Sequence, residues 1–329
     1  MAIAESRSVV HVGRALRVRR GRAFTLIELL VVIAIIAVLI AILLPAVGSM
    51  RLVGWRTKSM ANLRSIVTAG FVYQDAYKGY LPCLPPNPDR GMTPEYFVGS
   101  TTSRIPLSAY CTWTFGGKNC RPYWANNQTV FDIEAADRPL NGYVQDAPIF
   151  APPAPQALPA ASEDRKTLQM PVFQDPSDKR GHQRNWPNAN VAAPGEESIA
   201  SSYDDVGTSY HFNVKWFDQL CLPQTPQQRL GTQEAMRLWY LGLRRLRAAD
   251  AFTPSRFAWI HDEYADITVY NTNANAQIRN GYKDFNKSVM GYMDGHVAYT
   301  RLRTGGQLTP DNDNSFINGD YQFIFLDVR

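Results

Sequence analysis

One uninterrupted apolar run constrains this 329-residue chain more than any other feature. Residues 29–44 read LLVVIAIIAVLIAILL. Counted from Phe24, the apolar segment would be about 31 Å long as a helix, which matches the hydrocarbon core of a bilayer. A helix that is apolar on every side needs protein core or lipid around it. The segment therefore predicts a transmembrane helix.

Basic residues are concentrated directly before this run. Six arginines and one glutamate precede Phe24, and together they account for the whole formal net charge of +5. Such a leader stays in the cytoplasm, so we expect a single pass through the cytoplasmic (inner) membrane and a head exported to the periplasm or cell surface. Because the rest of the chain is neutral, no nucleic-acid partner is expected.

Two residues distinguish the segment from a plain membrane anchor. Glu28 lies within it, where a carboxylate costs on the order of 3 kcal/mol and calls for a partner. Pro45 ends the run and would remove one backbone hydrogen bond from a continuing helix. An α-amino group released by a cut before Phe24 is one candidate partner for Glu28.

Residues 23–30, AFTLIELL, resemble the class III signal of type IV pilins and type II secretion pseudopilins. In that family a prepilin peptidase cuts before a Phe, which is then N-methylated. Glu28 and Pro45 stand where the family has Glu and Pro, whereas Ala23 stands where it has Gly. The resemblance implies processing between Ala23 and Phe24 by a prepilin peptidase/methyltransferase, and assembly with other pilin-like subunits.

Ordinary signal peptidase offers an alternative cut. Ala46-Val47-Gly48 forms a small-x-small site after a basic region and an apolar run. That alternative leaves Glu28 without a role. A twin-arginine signal at Arg19-Arg20 fits the residues that follow it poorly.

The helix is predicted to continue beyond Pro45, because Met60, Leu63, Val67 and Phe71 recur on one helical face. The pattern ends before Gly79-Tyr80-Leu81-Pro82, which is a termination signal. The sequence thus divides into a basic leader (1–23), a transmembrane and assembly helix (24–45), its amphipathic continuation (46–80) and an exported head (81–329).

Proline content divides the predicted head into two parts. Residues 81–190 hold 16 of the 22 prolines, which excludes a continuous helix or a central strand there. Within 191–329 we expect a helix at 226–250 and strands at 257–260, 289–293, 296–299 and 321–325. The predicted fold class is α+β: a long N-terminal transmembrane helix packed under an antiparallel-sheet, pilin-like head with long Pro-rich loops.

Short elements of the head resemble a subgroup of large prepilin-like proteins that have a C-terminal Asp-Gly processing-associated motif. Asp294-Gly295-His296 resembles that motif, and Asp284 occupies the position where the subgroup has His. Asp175 stands in place of Cys in the Cys-Pro-Ser-Asp element, and Asp262-Glu263 with Asp266-Ile267 resembles an upstream acidic element. The alternative for Asp294-Gly295 is a hairpin turn, because Gly adopts positive φ without strain.

Two groups of residues suggest metal ligands. Asp311, Asp313 and Asp320 offer oxygen ligands of the kind that Ca²⁺ prefers, which makes calcium a candidate cofactor, and a solvated loop is the alternative. A transition metal could use His and carboxylate ligands drawn from 261–263, Asp294 and His296. Consecutive strand residues point to opposite faces, however, so this second set cannot all converge.

The four cysteines lie in the predicted exported part, where disulfides are permitted. Four cysteines allow three full pairings, and sequence does not choose among them. Cys111 and Cys120 close the shortest loop and are the preferred pair.

The head carries no nucleophile elbow, phosphate-binding loop or dinucleotide fingerprint, so we do not expect an enzyme. The predicted function is that of a prepilin-like structural subunit of a type II secretion pseudopilus or a type IV pilus-like fibre. A membrane-anchored exported binding module that never polymerises is the alternative. A metallohydrolase using His261 and His296 is a third hypothesis.

Overall fold

A computed structural model provides the structure of the chain. It describes residues 25–77, 82, 112–120, 135, 138–144, 168–179, 201–213, 215–216, 253–306 and 316–324. The chain divides into two compact units, Met1–Ser49 and Met50–Arg329. The predicted helix at 226–250 lies outside the described residues.

A single long helix opens the described chain. Helix α1 spans Leu26–Ala76 with Pro45 inside it, which confirms the predicted long helix and its continuation beyond the proline. In the second unit, one face of α1 is buried, with Leu63, Ile66 and Val67 fully so. The predicted face therefore packs, although Met60 and Phe71 are only partly buried.

Four strands form one antiparallel sheet in the order β1-β2-β3-β4. Their bounds are Tyr210–Phe212 (β1), Ala258–Asp262 (β2), Lys287–Tyr292 (β3) and Val297–Arg301 (β4). The sheet and the long helix confirm the α+β, pilin-like arrangement, and β3 and β4 confirm the predicted hairpin. Strand β1 was not predicted.

Short helices complete the described elements. They are α2 (Asn141–Val144), a 3₁₀ turn (Pro171–Phe173), α3 (Ser202–Val206) and α4 (Glu263–Val269). The predicted last strand at 321–325 is wrong over its described residues, where Gln322 makes only isolated bridges to Phe257 and Ile317. The strand predicted at 257–260 extends to Asp262, and α4 follows it at once.

The sheet is covered on both faces, so every residue of β2 is buried. Trp259, Ile260 and Val289 belong to a core that includes the buried residues of α1. Ala258, Met290 and Tyr292 belong to a second core with α4 and residues 316–324.

Two glycines set the spacing between α1 and the sheet. A Cβ atom at Gly70 would lie 1.9 Å from Cη2 of Trp259, and a Cβ atom at Gly291 would lie 2.5 Å from Cγ2 of Val67. Both distances are far inside van der Waals contact. Helix and sheet therefore approach each other more closely than side chains at these positions would permit.

Candidate functional site: the apolar stem and the polar centre of the head

The first half of α1 is an apolar stem, defined here as residues 26–44. Its large aliphatic side chains are between 45% and 81% exposed. Within the described part of the chain, α1 is the one helix long and apolar enough to cross a membrane. An apolar surface of this extent requires lipid or other apolar helices as its cover.

Glu28 is held at the start of the stem by a capping box. Its Oε2 accepts hydrogen bonds from the backbone N–H and the hydroxyl of Thr25, both 2.8 Å long. In return, the N–H of Glu28 donates to Oγ1 of Thr25 at 3.3 Å. This reciprocal arrangement satisfies donors that a helix start leaves unpaired. Glu28 therefore has local partners within its own chain.

Pro45 lies inside α1, where it has no N–H to donate to the carbonyl of Ala41. The predicted processing residues Ala23 and Phe24 lie outside the described residues. The stem thus offers an exposed apolar surface and a carboxylate near its amino end.

The head contains a polar centre, formed by His211 on β1, Lys215 after β1, His261 on β2 and Asp266 on α4. The Lys215 ammonium contacts Oδ1 of Asp266 and lies 3.3 Å from Nε2 of His261. His211 Nδ1 contacts the other carboxylate oxygen of Asp266. The exposed fraction is 3% or less for the His211, Lys215 and His261 side chains and 15% for Asp266.

Burial and charge determine the protonation of this polar centre. Burial lowers the pKa of His261 to about 3, so its imidazole is neutral. Burial alone would raise the pKa of Asp266, but the charge of Lys215 and the contacts with His261 and His211 outweigh it and hold the pKa far below its usual range. Asp266 is therefore a carboxylate paired with the Lys215 ammonium.

The ligand atoms of His211, His261 and Asp266 lie within 4.8 Å of one another, so they could in principle hold a metal ion. The Lys215 ammonium, however, already contacts Asp266 and approaches His261. It supplies the positive charge that the carboxylate requires, and a second cation would meet its repulsion. The residues therefore fit an internal lysine better than a metal.

The structure separates the five residues considered for a transition metal. Asp262 accepts from the Ser288 hydroxyl at 2.7 Å, and Glu263 accepts from the Ser202 hydroxyl at 2.6 Å. Neither belongs to the His261 group, and neither do Asp294 and His296. The expectation that the five cannot all converge is correct, because strand β2 points neighbouring side chains in different directions.

The motif residues Asp294 and Gly295 lie in the turn between β3 and β4. The Gly295 N–H donates to the carbonyl of Tyr292 at 3.0 Å, and φ of Gly295 is +96°, as its turn role requires. Oδ1 of Asp294 accepts from the His296 N–H at 3.1 Å, and the His296 ring stacks on Tyr292 with centroids 4.1 Å apart. The local contacts are those of a hairpin turn.

The Cys-Pro-Ser-Asp-like element lies where α1 meets the head. The buried carboxylate of Asp175 accepts from the hydroxyls of Ser59 at 3.0 Å and Tyr282 at 2.5 Å. Asn62 donates to the carbonyls of Gln174 at 2.8 Å and Pro171 at 3.3 Å. This element therefore docks the helix, a role that the sequence pattern alone did not reveal.

Other candidate residues are only partly covered by the structure. Asp320 is exposed and its N–H donates to Oδ1 of Asn318 at 2.7 Å, while Asp311 and Asp313 lie outside the described residues. Cys120 is buried, and its predicted partner Cys111 lies outside them as well. The calcium site and the disulfide stay predictions.

Lys215 was missed from sequence because a single lysine has no motif. The acidic element containing Asp266 was noted, but its pairing with Lys215 depends on β1 and α4, two elements that the sequence pattern did not predict. The aromatic residues around its ammonium group are distant in sequence, so no regular spacing in the sequence marks Lys215 as buried.

Comparison with known families bears on the amino-terminal stem. A family model described as the prokaryotic N-terminal methylation motif matches residues 18–44. No curated protein and no solved structure matches the chain significantly. The matched segment covers the end of the leader and the apolar stem with Glu28. A prepilin N-terminal methylation motif followed by a long apolar helix fits a type IV pilin-like protein.

Proposed function

We propose that this chain is a structural subunit of a type II secretion pseudopilus or a type IV pilus-like fibre, cut before Phe24 and N-methylated there. The observation that carries the proposal is the apolar stem, exposed on every side and preceded by the methylation motif. Such stems are stable in lipid and equally stable when they cover one another in a fibre core.

The same proposal includes the membrane topology of the chain and its division into leader, stem and head. The arginine leader (1–23) stays in the cytoplasm, the stem crosses the membrane once, and the head is exported. Prepilin peptidase/methyltransferase and other pilin-like subunits are its partners. Its role is mechanical rather than catalytic.

Assembly gives Glu28 a second partner. A cut before Phe24 creates an α-amino group, and that charge needs compensation once the stem leaves lipid for the fibre core. The carboxylate of a neighbouring Glu28 supplies it. An unpaired charge in such an apolar core costs on the order of 3 kcal/mol, which corresponds to about a 100-fold loss in subunit affinity.

Glu28→Ala tests this role. We expect the variant to insert in the membrane normally, but to reach sheared fibres at a level on the order of 100-fold below wild type. Thr57→Ala is the matched control, because Thr57 lies on the same helix, is exposed, and its hydroxyl donates to the carbonyl of Val53 within that helix. Normal incorporation of Glu28→Ala into fibres would contradict the proposed role.

Two further measurements separate the proposal from its alternatives. Mass spectrometry of the membrane-extracted chain should show N-methylated Phe24 as the first residue, whereas a start at Ser49 would indicate an ordinary secreted protein. Cysteine pairs introduced along 24–45 should give ladders of cross-linked subunits. A processed chain that gives no ladders would indicate a membrane-anchored binding module.

A further inference from the structure

Lys215 and Asp266 hold a nucleophile and a carboxyl carbon together inside the head. The Lys215 side chain is 2% exposed, and its ammonium contacts Oδ1 of Asp266. The rings of Phe323 and Tyr270 lie 5.0 and 5.5 Å from the same nitrogen. Water therefore has little access to the pair.

Two imidazoles lie beside this pair, with ring centroids 5.9 Å apart. His261 Nδ1 lies 2.9 Å from the carbonyl oxygen of Asp262, so it carries the ring proton and donates it there. The lone pair on Nε2 then faces the Lys215 nitrogen at 3.3 Å. His261 is thus placed to accept a proton from lysine.

His211 contacts the second carboxylate oxygen of Asp266. Its Nδ1 contacts Oδ2 of Asp266, and a carboxylate only accepts hydrogen bonds, so this nitrogen carries a proton. The ring of His211 packs edge-on against Trp113 with centroids 5.6 Å apart, which fixes its orientation. The His211 Nδ1–H can therefore stabilise the negative charge that develops on Oδ2 during the attack.

We propose that Lys215 and Asp266 condense to form an intramolecular isopeptide bond between Nζ and Cγ. The ammonium passes one proton to Oδ1 of Asp266, which it contacts, and the neutral amine attacks Cγ. His261 Nε2, which lies 3.6 Å from Oδ1, accepts a second proton from the attacking nitrogen and passes it to Oδ1, which leaves as water when its bond to Cγ breaks. Oδ2 becomes the amide oxygen and keeps its contact with His211 Nδ1. The ammonium and the carboxylate thus become one amide and one water molecule, so atoms and charge balance without any oxidant or other reactant.

The environment favours condensation over a permanent ion pair. A buried ion pair keeps two charges out of water at a substantial desolvation cost, and the amide removes both charges. Residues held in register by β1, β2 and α4 react as neighbours of high effective concentration. Since each chain needs the reaction once, during maturation, it does not have to be fast.

Peptide mapping of the full chain, extracted in detergent and then denatured, tests the bond. Trypsin cannot cut after an acylated Lys215, so the linked product joins residues 185–229 to residues 257–279. Its mass should be lower than the sum of the two peptides by one water molecule. Cleavage after Lys215 in folded wild-type chain, with 257–279 recovered unlinked, would overturn the proposal.

Two variants assign the chemistry. Lys215→Arg keeps the positive charge but lacks the nucleophilic amine, so its 257–279 peptide should be recovered without a link. His261→Gln keeps a hydrogen-bond acceptor but not the base, and should lower the linked fraction at least tenfold while near-UV circular dichroism remains that of wild type. A water-loss link that persists in Lys215→Arg would place the bond elsewhere, and full linkage in His261→Gln would remove His261 from the mechanism.

Discussion

Gly70→Ala should destabilise the head although alanine is the better helix former. Alanine in place of glycine stabilises a helix interior by about 1 kcal/mol. At Gly70, however, the added Cβ would lie 1.9 Å from Cη2 and 2.8 Å from Cζ2 of Trp259, whose side chain is completely buried. Overpacking of this kind costs about 3 kcal/mol. We therefore expect a net loss of about 2 kcal/mol in the free energy of unfolding.

Gly54→Ala is the matched control on the same helix. A Cβ atom at Gly54 meets nothing within 4 Å, so only the gain in helix propensity remains. Gly54→Ala should then be about 1 kcal/mol more stable than wild type and Gly70→Ala about 2 kcal/mol less stable, so the free energies of unfolding of the two variants should differ by about 3 kcal/mol. Thermal unfolding of the full chain in detergent, followed by near-UV circular dichroism, measures this difference. Equal stability of the two variants would refute the close approach of α1 to Trp259.

Two further predictions concern the buried polar groups of the head. Burial, with like charges nearby, raises the pKa of Asp178 to about 7 and that of Asp262 to about 8, so the folded state holds protons that the unfolded state has already lost. Their contribution to stability is therefore present near pH 4 and is lost as the pH rises towards about 8, with a slope of at most about 1.4 kcal/mol per pH unit for each group. The lowered pKa of His261 changes stability with pH in the opposite direction, so the wild-type curve alone does not isolate the two carboxyl groups. In denaturant titrations at several pH values, we therefore expect the free energy of unfolding to vary less with pH in Asp262→Asn than in wild type. Parallel curves for the two proteins would contradict this prediction. Asn62→Ala should lower the free energy of unfolding by about 1 to 3 kcal/mol because it removes the side-chain donor to the Gln174 and Pro171 carbonyls, of which Pro171 keeps the Gln174 N–H. Thr68→Ala loses one exposed bond within the helix and should change the free energy of unfolding little in the same titration.

Helix α1 and the β3–β4 hairpin were predictable because their signals are local. An apolar run followed by a one-sided stripe specifies a helix, and β-prone residues around Asp294-Gly295 specify a turn. Both depend on neighbours a few residues apart in sequence. Tertiary contacts then stabilise the helix and the hairpin that the local sequence already favours.

The polar centre was not predictable because its contacts are distant in sequence. The His261–Lys215 contact requires β1 to pair with β2, and the Lys215–Asp266 contact requires α4 to begin immediately after β2. The three-residue strand β1 is too short to give a periodic signal. The failed expectation of a last strand at 321–325 has a similar cause, because buried aromatic residues such as Phe323 fill a core without joining a ladder.

For the fibre that we propose, the capping box at the start of α1 has a consequence for the reversibility of assembly. Thr25 already satisfies the Glu28 carboxylate within its own subunit, so a neighbouring amino group has to compete with two existing hydrogen bonds. The neighbouring amino group would thus replace hydrogen bonds from Thr25, because the Glu28 carboxylate is not unpaired beforehand. Its net driving force is smaller than the full strength of an ion pair, which leaves the contact reversible. The proposed fibre could then return subunits to the membrane as well as take them up.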